Sequence, residues 1–125
     1  MSTGIPEEVA ASVRKFQKEL SAGIVSLALL ALLARAEKPL YGYQIAKELE
    51  GFAEGLPVKQ GTLYPVLRSL EAQGLLSSEV EPSISGPPRR YYSVTESGRE
   101  AVGLWKGSWE KTKEFVEAVL EGNRG

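Results

Sequence analysis

The sequence predicts a mainly α-helical fold with a small β-hairpin, and three observations carry that prediction. Apolar residues recur at helical spacing over several long segments, two short segments late in the chain alternate between apolar and polar residues, and turn-forming residues separate those two segments. At 125 residues, with 42% hydrophobic and 25% charged residues, the chain has the size and composition of one compact domain with an accessory element.

The N-terminal quarter of the chain predicts helix in two parts. Residues 6–20 place apolar side chains at helical spacing, and Pro6 suits a first turn, where its missing N–H costs nothing. Residues 24–35 are apolar almost all round, which is typical of a buried helix. The intervening 21–23 segment is either a helix cap or a soft point within one long helix. The apolar stretch of about 12 residues falls short of the roughly 20 that span a bilayer, so we expect no membrane partner.

Two shorter helices follow Pro39, which ends the apolar segment. The sequence Tyr41-Gly42-Tyr43 opens a helix over residues 42–54, with Phe52 on its apolar face and Gly51, Gly55 and Pro57 closing it. A third helix covers residues 59–73, and Gly74 stops it.

A hairpin and a final helix complete the chain. Residues 75–80 and 89–95 alternate like strands around a tip rich in proline and glycine. Thr95 is a suitable N-cap for a helix over residues 96–121, which carries one broad apolar stripe.

Helices followed by a hairpin in this order predict a winged helix-turn-helix with terminal dimerisation helices. We expect three parts: residues 1–20 as an N-terminal helix that supports a dimer, residues 21–95 as a DNA-binding domain, and residues 96–125 as the C-terminal dimerisation helix. The apolar stripe of the last helix is too extensive to remain in water, and a two-fold axis would let it meet itself.

The third helix and the hairpin are the predicted DNA-contacting elements. The helix would enter the major groove with a slim polar face, and the hairpin would reach sugar-phosphate or the minor groove. The net charge of −1 does not oppose this, since a local basic face can bind phosphate. The alternative to DNA contact is that residues 61–65 are only the start of a helix after a loop, and that Arg89 and Arg90 are only a solvated pair of side chains. The candidate DNA-binding residues are Lys59, Gln60, Thr62, Tyr64, Pro65, Arg68, Arg89 and Arg90.

The residue types that most enzymes depend on are missing. The chain has no cysteine and no histidine, and it also lacks aspartate, so any acid–base pair would consist of glutamates. We therefore expect no enzymatic activity, no cofactor and no metal site. The N-terminus has no basic start followed by an apolar run, which predicts a cytoplasmic location.

Four stretches carry a resemblance to a known family. They are LYGYQIA at 40–46, QGTLYPVL at 60–67, LEAQGLL at 70–76 and RRYYSVT at 89–95. Across residues 19–103 the chain resembles the PadR family of transcriptional regulators, in its short subfamily with a single C-terminal helix. The resemblance implies a winged-helix regulator, usually a repressor, that dimerises through its terminal helices. It places Thr62, Tyr64, Pro65 and Arg68 on the reading helix and Arg89 and Arg90 on the wing.

Two expectations concern what the protein binds. A two-fold dimer should read an inverted repeat in double-stranded DNA. Trp105 and Trp109 lie one turn apart on the dimer helix, and indoles facing each other across a two-fold axis can sandwich a flat aromatic effector, as the resemblance to multidrug-sensing members also implies. The alternative is that both tryptophans only fill the interface. The alternative function is a winged-helix module that binds protein and not DNA.

Overall fold

The computed structural model describes residues 4–52 and 60–124, with the side chain of Gln60 left out of the description. Over these ranges the chain forms four α-helices and a three-stranded antiparallel sheet. In chain order the elements are α1 (Glu7–Arg35), β1 (Leu40–Tyr41), α2 (Gly42–Glu50), α3 (Gln60–Ala72), β2 (Leu76–Glu81), β3 (Arg89–Val94) and α4 (Glu96–Glu121). The predicted mainly helical fold with a hairpin is confirmed.

Helix α1 is continuous over 29 residues, so residues 21–23 do not cap a second helix but lie within one long helix, the second of the two alternatives. The expected boundary between residues 20 and 21 lies inside this helix. The two halves nevertheless differ in burial, because the first buried side chain is Val25 and the core positions all follow it. The helix ends at Arg35, where the N–H of Ala36 donates to the Leu32 carbonyl at 3.1 Å, shortly before Pro39.

By length and composition α1 is long and apolar enough to cross a membrane. The sequence estimate of about 12 apolar residues counted only its most apolar part, against the roughly 20 that a span needs. The core helix of a soluble protein passes the same test. Leu29, Leu30 and Leu33 are buried among side chains of the other elements, which fits that explanation.

The hydrophobic core lies where the second half of α1 meets α2, α3 and the sheet. Each helix contributes residues at helical spacing, and the sheet contributes from one face only. Buried side chains exclude water from the junction and hold α3 in place, with its opposite face in solvent. The fully buried side chains are Leu29, Leu30, Leu33, Ile45, Leu63, Leu67, Leu70 and Leu76.

Helix α2 is shorter than predicted. It ends at Glu50, and Gly51 forms the C-cap: the Gly51 N–H donates to the Glu48 carbonyl, and the Phe52 N–H donates to the Leu49 carbonyl, both at 3.1 Å. Glycine is a poor helix former, which favours an end there. The prediction that Phe52 lies on the buried face was wrong, since this residue follows the helix and is exposed. Of the predicted closing residues, Gly51 does end the helix, and Gly55 and Pro57 lie outside the described ranges.

Strand β1 was not predicted. It has two residues, Leu40 and Tyr41, which pair with Tyr92 and Tyr91 of β3 and place β3 in the centre of the sheet. Two residues are too short for a pattern of alternation, and the strand exists through its pairing with a distant segment.

The C-terminal end of α3 and the N-terminal end of α4 meet in one joint, formed by Gly74, Leu75 and Thr95. Gly74 has a φ of 80°, and the N–H groups of Gly74 and Leu75 donate to the carbonyls of Glu71 and Leu70, which completes the predicted glycine stop. Thr95 caps α4 as predicted, accepting from the Gly98 N–H at 3.0 Å. The Thr95 hydroxyl also donates to the Gly74 carbonyl at 2.7 Å, so the two helix ends are tied together.

Candidate nucleic-acid interface

Helix α3 presents a slim face to solvent. Leu63, Leu67 and Leu70 anchor the helix in the core, and the opposite side is exposed. Pro65 removes one backbone N–H, which would have bonded to the carbonyl of Gly61 four residues earlier, a position open to water. The exposed residues of this face include Gly61, Thr62, Tyr64, Pro65 and Arg68. This is the arrangement predicted for a helix that enters a DNA groove.

Tyr64 lies over the start of α2. A Cβ atom added to Gly42 would stand 2.6 Å from the Tyr64 hydroxyl oxygen and 2.8 Å from a ring carbon. The missing side chain at Gly42 therefore makes room for the tyrosine ring, and α2 and α3 are in direct contact through this pair.

The register of the hairpin places Arg89 and Arg90 on opposite faces of the sheet. Arg90 pairs with Val80 and shares the face of the buried Tyr92. Arg89 pairs with Glu81 and shares the other face with Tyr91. Adjacent residues of a strand point in opposite directions, so the predicted arginine pair is split into two separate contacts.

Arg90 is connected to α3 through Ser78 of β2. Its Nη1 donates to the Ser78 hydroxyl at 2.9 Å, and that hydroxyl donates to Oε2 of Glu71 at 2.7 Å. Glu71 lies one turn beyond Arg68 on α3. An open cleft of about 410 Å³ separates helix and wing, lined by Tyr64, Arg68, Glu71, Arg90 and Tyr92. Two arginines thus line one cleft beside the exposed face of α3.

Tyr92 forms the floor of this cleft. Burial raises the pKa of the Tyr92 phenol above its ordinary value of 10.0, and the positive charge of Arg90 opposes part of that rise. The carboxylate of Glu71 adds to the rise, and Arg68 opposes it. The phenol is therefore neutral at physiological pH, and the charges of the cleft belong to its two arginines and one glutamate.

Arg89 belongs to an aromatic cluster on the outer face of the sheet. Its guanidinium carbon lies 4.5 Å from the centroid of the Tyr41 ring, a cation–π distance. Tyr41 in turn packs edge-on against Tyr91 at 5.3 Å between centroids. This cluster fixes Arg89 against β1 on the side of the wing away from Arg90.

The remaining predicted site residues stand apart or are not described. Lys59 lies outside the described residues, and for Gln60 only the backbone is described. Trp105 is half-buried and packs against the hydrophobic core, whereas Trp109, one turn further along α4, is 38% exposed. The two indoles therefore have different surroundings in one protomer, and Trp109 is the accessible one.

Sequence reasoning missed Glu71, Ser78 and the Tyr41–Arg89 contact. Once the strand register is known, alternation alone places Ser78 beside Tyr92 and Arg90 on the inner face. The sequence shows which residues of each strand share a face, but it gives no signal for the register that aligns β2 with β3.

The comparison with known proteins gives the family. A model of the PadR-like family of transcriptional regulators matches residues 29–103. The chain belongs to this family. The matched range runs from the buried half of α1 through α3 and the wing to the first turns of α4, so it contains the whole cleft. Since this is a family of transcriptional regulators, membership confirms the winged-helix fold and the prediction that the protein is not an enzyme.

Individual relatives agree with the family match. This PadR-like protein is 38% identical over 87 residues to "Transcriptional regulator Rv3488" of Mycobacterium tuberculosis, an alignment that covers 70% of this chain and 76% of that protein. A PadR family transcriptional regulator from Eggerthella lenta superimposes with a TM-score of 0.76 at 32% identity, covering 94% of this chain and 100% of that one. A PadR family transcription regulator from Clostridium difficile gives 0.61 at 30% identity, with coverage of 77% and 97%.

Proposed function

We propose that this PadR-like regulator binds DNA in a sequence-specific manner through α3 and the wing. The observation that carries the proposal is the cleft in which Arg68 of α3 and Arg90 of β3 lie beside the exposed face of the same helix. A helix with small and polar residues on its free face suits the major groove, and flanking arginines suit the phosphates on either side.

The two wing arginines have different proposed roles. Arg90 lies on the α3 side of the hairpin and would contact a phosphate bordering the major groove. Arg89 lies on the opposite side, against Tyr41, and would reach the next phosphate or the minor groove. Arg68 projects from α3 and would contact a base edge or a phosphate. Thr62, Tyr64 and Pro65 complete the proposed reading face, and Lys59 and Gln60 remain proposed contacts at its start.

Fluorescence anisotropy on a DNA sequence selected by the protein tests this assignment. Arg68→Ala should weaken binding by about 1–3 kcal/mol and relax base preference at one position if it contacts a base. Arg90→Ala should weaken all sequences similarly and reduce the slope of log K against log salt by about 0.9 for each protomer that loses a phosphate contact. Arg14→Ala is the matched control, since it removes one exposed positive charge from the N-terminal half of α1. Unchanged affinity in both cleft variants would remove the assignment.

We also propose that the regulator is a homodimer. Helix α4 carries large apolar side chains that the described protomer leaves in solvent, and the first half of α1 does the same. Burying such side chains against a second copy is favourable by roughly 25 cal/mol per Å². The exposed residues are Val9, Val13, Phe16 and Leu20 on α1, and Leu104, Phe115, Val116, Val119 and Leu120 on α4.

Sedimentation velocity at micromolar concentration tests the dimer. Phe115→Glu should shift the protein towards monomer, because a charge would be placed in the apolar contact. Glu114→Gln changes the neighbouring residue without adding a buried charge, and the sedimenting species should keep the mass of a dimer. A monomeric parent protein would remove the dimer proposal.

The regulator is proposed to act in the cytoplasm as a repressor. A two-fold dimer seated on promoter DNA excludes other proteins by occupancy alone, and the family resemblance implies the same sign of regulation. A reporter gene behind the selected sequence should be expressed less when the parent protein is present and regain expression with Arg68→Ala. Increased expression with the parent protein would show that the regulator is an activator and not a repressor.

We also propose that a planar aromatic effector binds at the dimer interface. The proposal is supported by the accessible indole of Trp109 on the proposed dimer helix, whereas Trp105 is engaged with the core. An effector would change DNA affinity by its differential affinity for two arrangements of the reading heads. A planar aromatic dye should quench the parent's tryptophan emission and quench Trp109→Ala much less. Equal quenching, or none, would leave Trp109 as an ordinary interface residue.

A protein-binding winged helix without DNA affinity is not favoured. Such a module has no need of two arginines held beside the free face of α3, which is what the cleft contains.

A further inference from the structure

We propose that Ser78 is the positioning residue of the wing: it ties Arg90 to Glu71 of α3 and so holds the guanidinium ready for a DNA phosphate. The proposal rests on the DNA-binding function proposed above. Ser78 itself would not need to contact DNA, because it acts through Arg90.

The chemistry of the three groups fixes the direction of both hydrogen bonds. A carboxylate only accepts and a guanidinium only donates, whereas a hydroxyl has one hydrogen and two lone pairs. The Ser78 hydrogen therefore points to Oε2 of Glu71, at 2.7 Å between oxygens, and leaves a lone pair for Nη1 of Arg90 at 2.9 Å. A chain of hydrogen bonds ordered in this way strengthens each member.

These two hydrogen bonds join three elements of the fold. Glu71 is on α3, Ser78 on β2 and Arg90 on β3. In the sheet Ser78 pairs with Tyr92 and Arg90 with Val80, so the arginine reaches diagonally back along the hairpin, away from its tip and towards α3. Without that bond, a long exposed side chain next to the tip would sample many rotamers.

The bond to Ser78 leaves Arg90 able to bind a phosphate. A guanidinium has five N–H donors in a fixed plane, and Ser78 engages one nitrogen. Ordering Arg90 before DNA arrives removes part of the entropy cost from the binding step. Glu71, a carboxylate beside Arg68 on a proposed DNA-binding face, would by itself repel phosphate. Its bond to Ser78 gives it a second role, as the anchor of the wing on the reading helix.

The test is a double-mutant cycle on the selected DNA sequence, measured by fluorescence anisotropy. Ser78→Ala should weaken binding about three- to tenfold, the scale of one ordinary net hydrogen bond. Ser78→Thr keeps the hydroxyl on a strand that tolerates threonine, and it should restore affinity. In the double variant of Ser78→Ala and Arg90→Ala, affinity should equal that of Arg90→Ala alone, because Ser78 acts only through the arginine. A general loss of folding would not give that result.

The neighbouring Ser77 supplies the matched control. It lies on the outer face of the same strand, exposed and paired with Ser93, so Ser77→Ala should bind as tightly as the parent. If Arg90→Ala weakens binding but Ser78→Ala does not, or if the two losses add, the positioning role is wrong and DNA binding stands. If the parent does not bind DNA, or Arg90→Ala has no effect, the proposed DNA contact fails and this inference fails with it.

Discussion

Replacing Gly98 with alanine tests the joint that connects the reading helix to α4. The position is buried at the start of α4, directly against the end of α3. An added Cβ would overlap the Leu75 carbonyl oxygen and would stand 2.7 Å from Cγ2 of Val94. The Leu75 carbonyl accepts from the N–H of Thr95 at 3.1 Å. Neither can move away easily, because one is backbone within the joint and the other is a stiff β-branched side chain.

Two opposing terms set the expected magnitude. Alanine is a better helix former than glycine by about 1 kcal/mol. Forcing a methyl group into a packed site costs about 1–3 kcal/mol, and the upper part of that range applies where backbone must shift. We expect a net loss of about 1–2 kcal/mol, which lowers Tm by roughly 4–8 °C in a protein of this size.

Thermal unfolding of Gly98→Ala and of Gly103→Ala measures the effect against a control on the same helix. A Cβ at Gly103 meets no described atom within 4 Å, and the residue is exposed. Gly103→Ala should therefore gain up to about 1 kcal/mol from helix propensity alone. If Gly98→Ala is as stable as Gly103→Ala, the close approach of α4 to Leu75 is not real and the joint is looser than described.

Three further changes have defined outcomes. Leu67→Ala should lose about 2–5 kcal/mol in urea unfolding, because the leucine is fully buried; a loss below 1 kcal/mol would contradict its place in the core. Gly42→Ala should displace the ring of Tyr64, and its loss of DNA-binding free energy should exceed its loss of unfolding free energy. A DNA affinity equal to that of the parent protein would contradict the contact. The pKa of Tyr92 is raised in the folded protein mainly by burial, so its contribution to stability is complete below the unfolded pKa of about 10 and is lost as pH rises through the folded value. As the pH rises above 10, the free energy of unfolding should therefore fall less in Tyr92→Phe than in the parent. The same pH dependence in both proteins would refute the raised pKa of Tyr92.

The sequence predicted those elements whose ends carry local signals. Gly74 stops α3 and Thr95 caps α4, and both assignments depend on bonds within a few residues of the signal. The exposed face of α3 followed from the spacing of Leu63, Leu67 and Leu70. Local chemistry is visible in a sequence because the interacting residues are neighbours along the chain.

The parts that were missed depend on register and on contacts between distant segments. Strand β1 exists only because Leu40 meets Tyr92, fifty-two positions later. The connection from Glu71 through Ser78 to Arg90 needs the alignment of β2 with β3, which the length and shape of the hairpin tip decide. By contrast, the separation of Arg89 from Arg90 follows from strand geometry and could have been predicted from the two adjacent positions alone.

Selection of bound sequences from random duplex DNA tests most directly whether this regulator reads DNA as a two-fold dimer. The selected sequences should contain an inverted repeat whose half-sites are about 10 bp apart, centre to centre, or a small multiple of that distance. Arg68→Ala should enrich a repeat that has lost preference at one symmetric position in each half-site. The absence of any enriched sequence, or the enrichment of a single asymmetric site, would contradict the account.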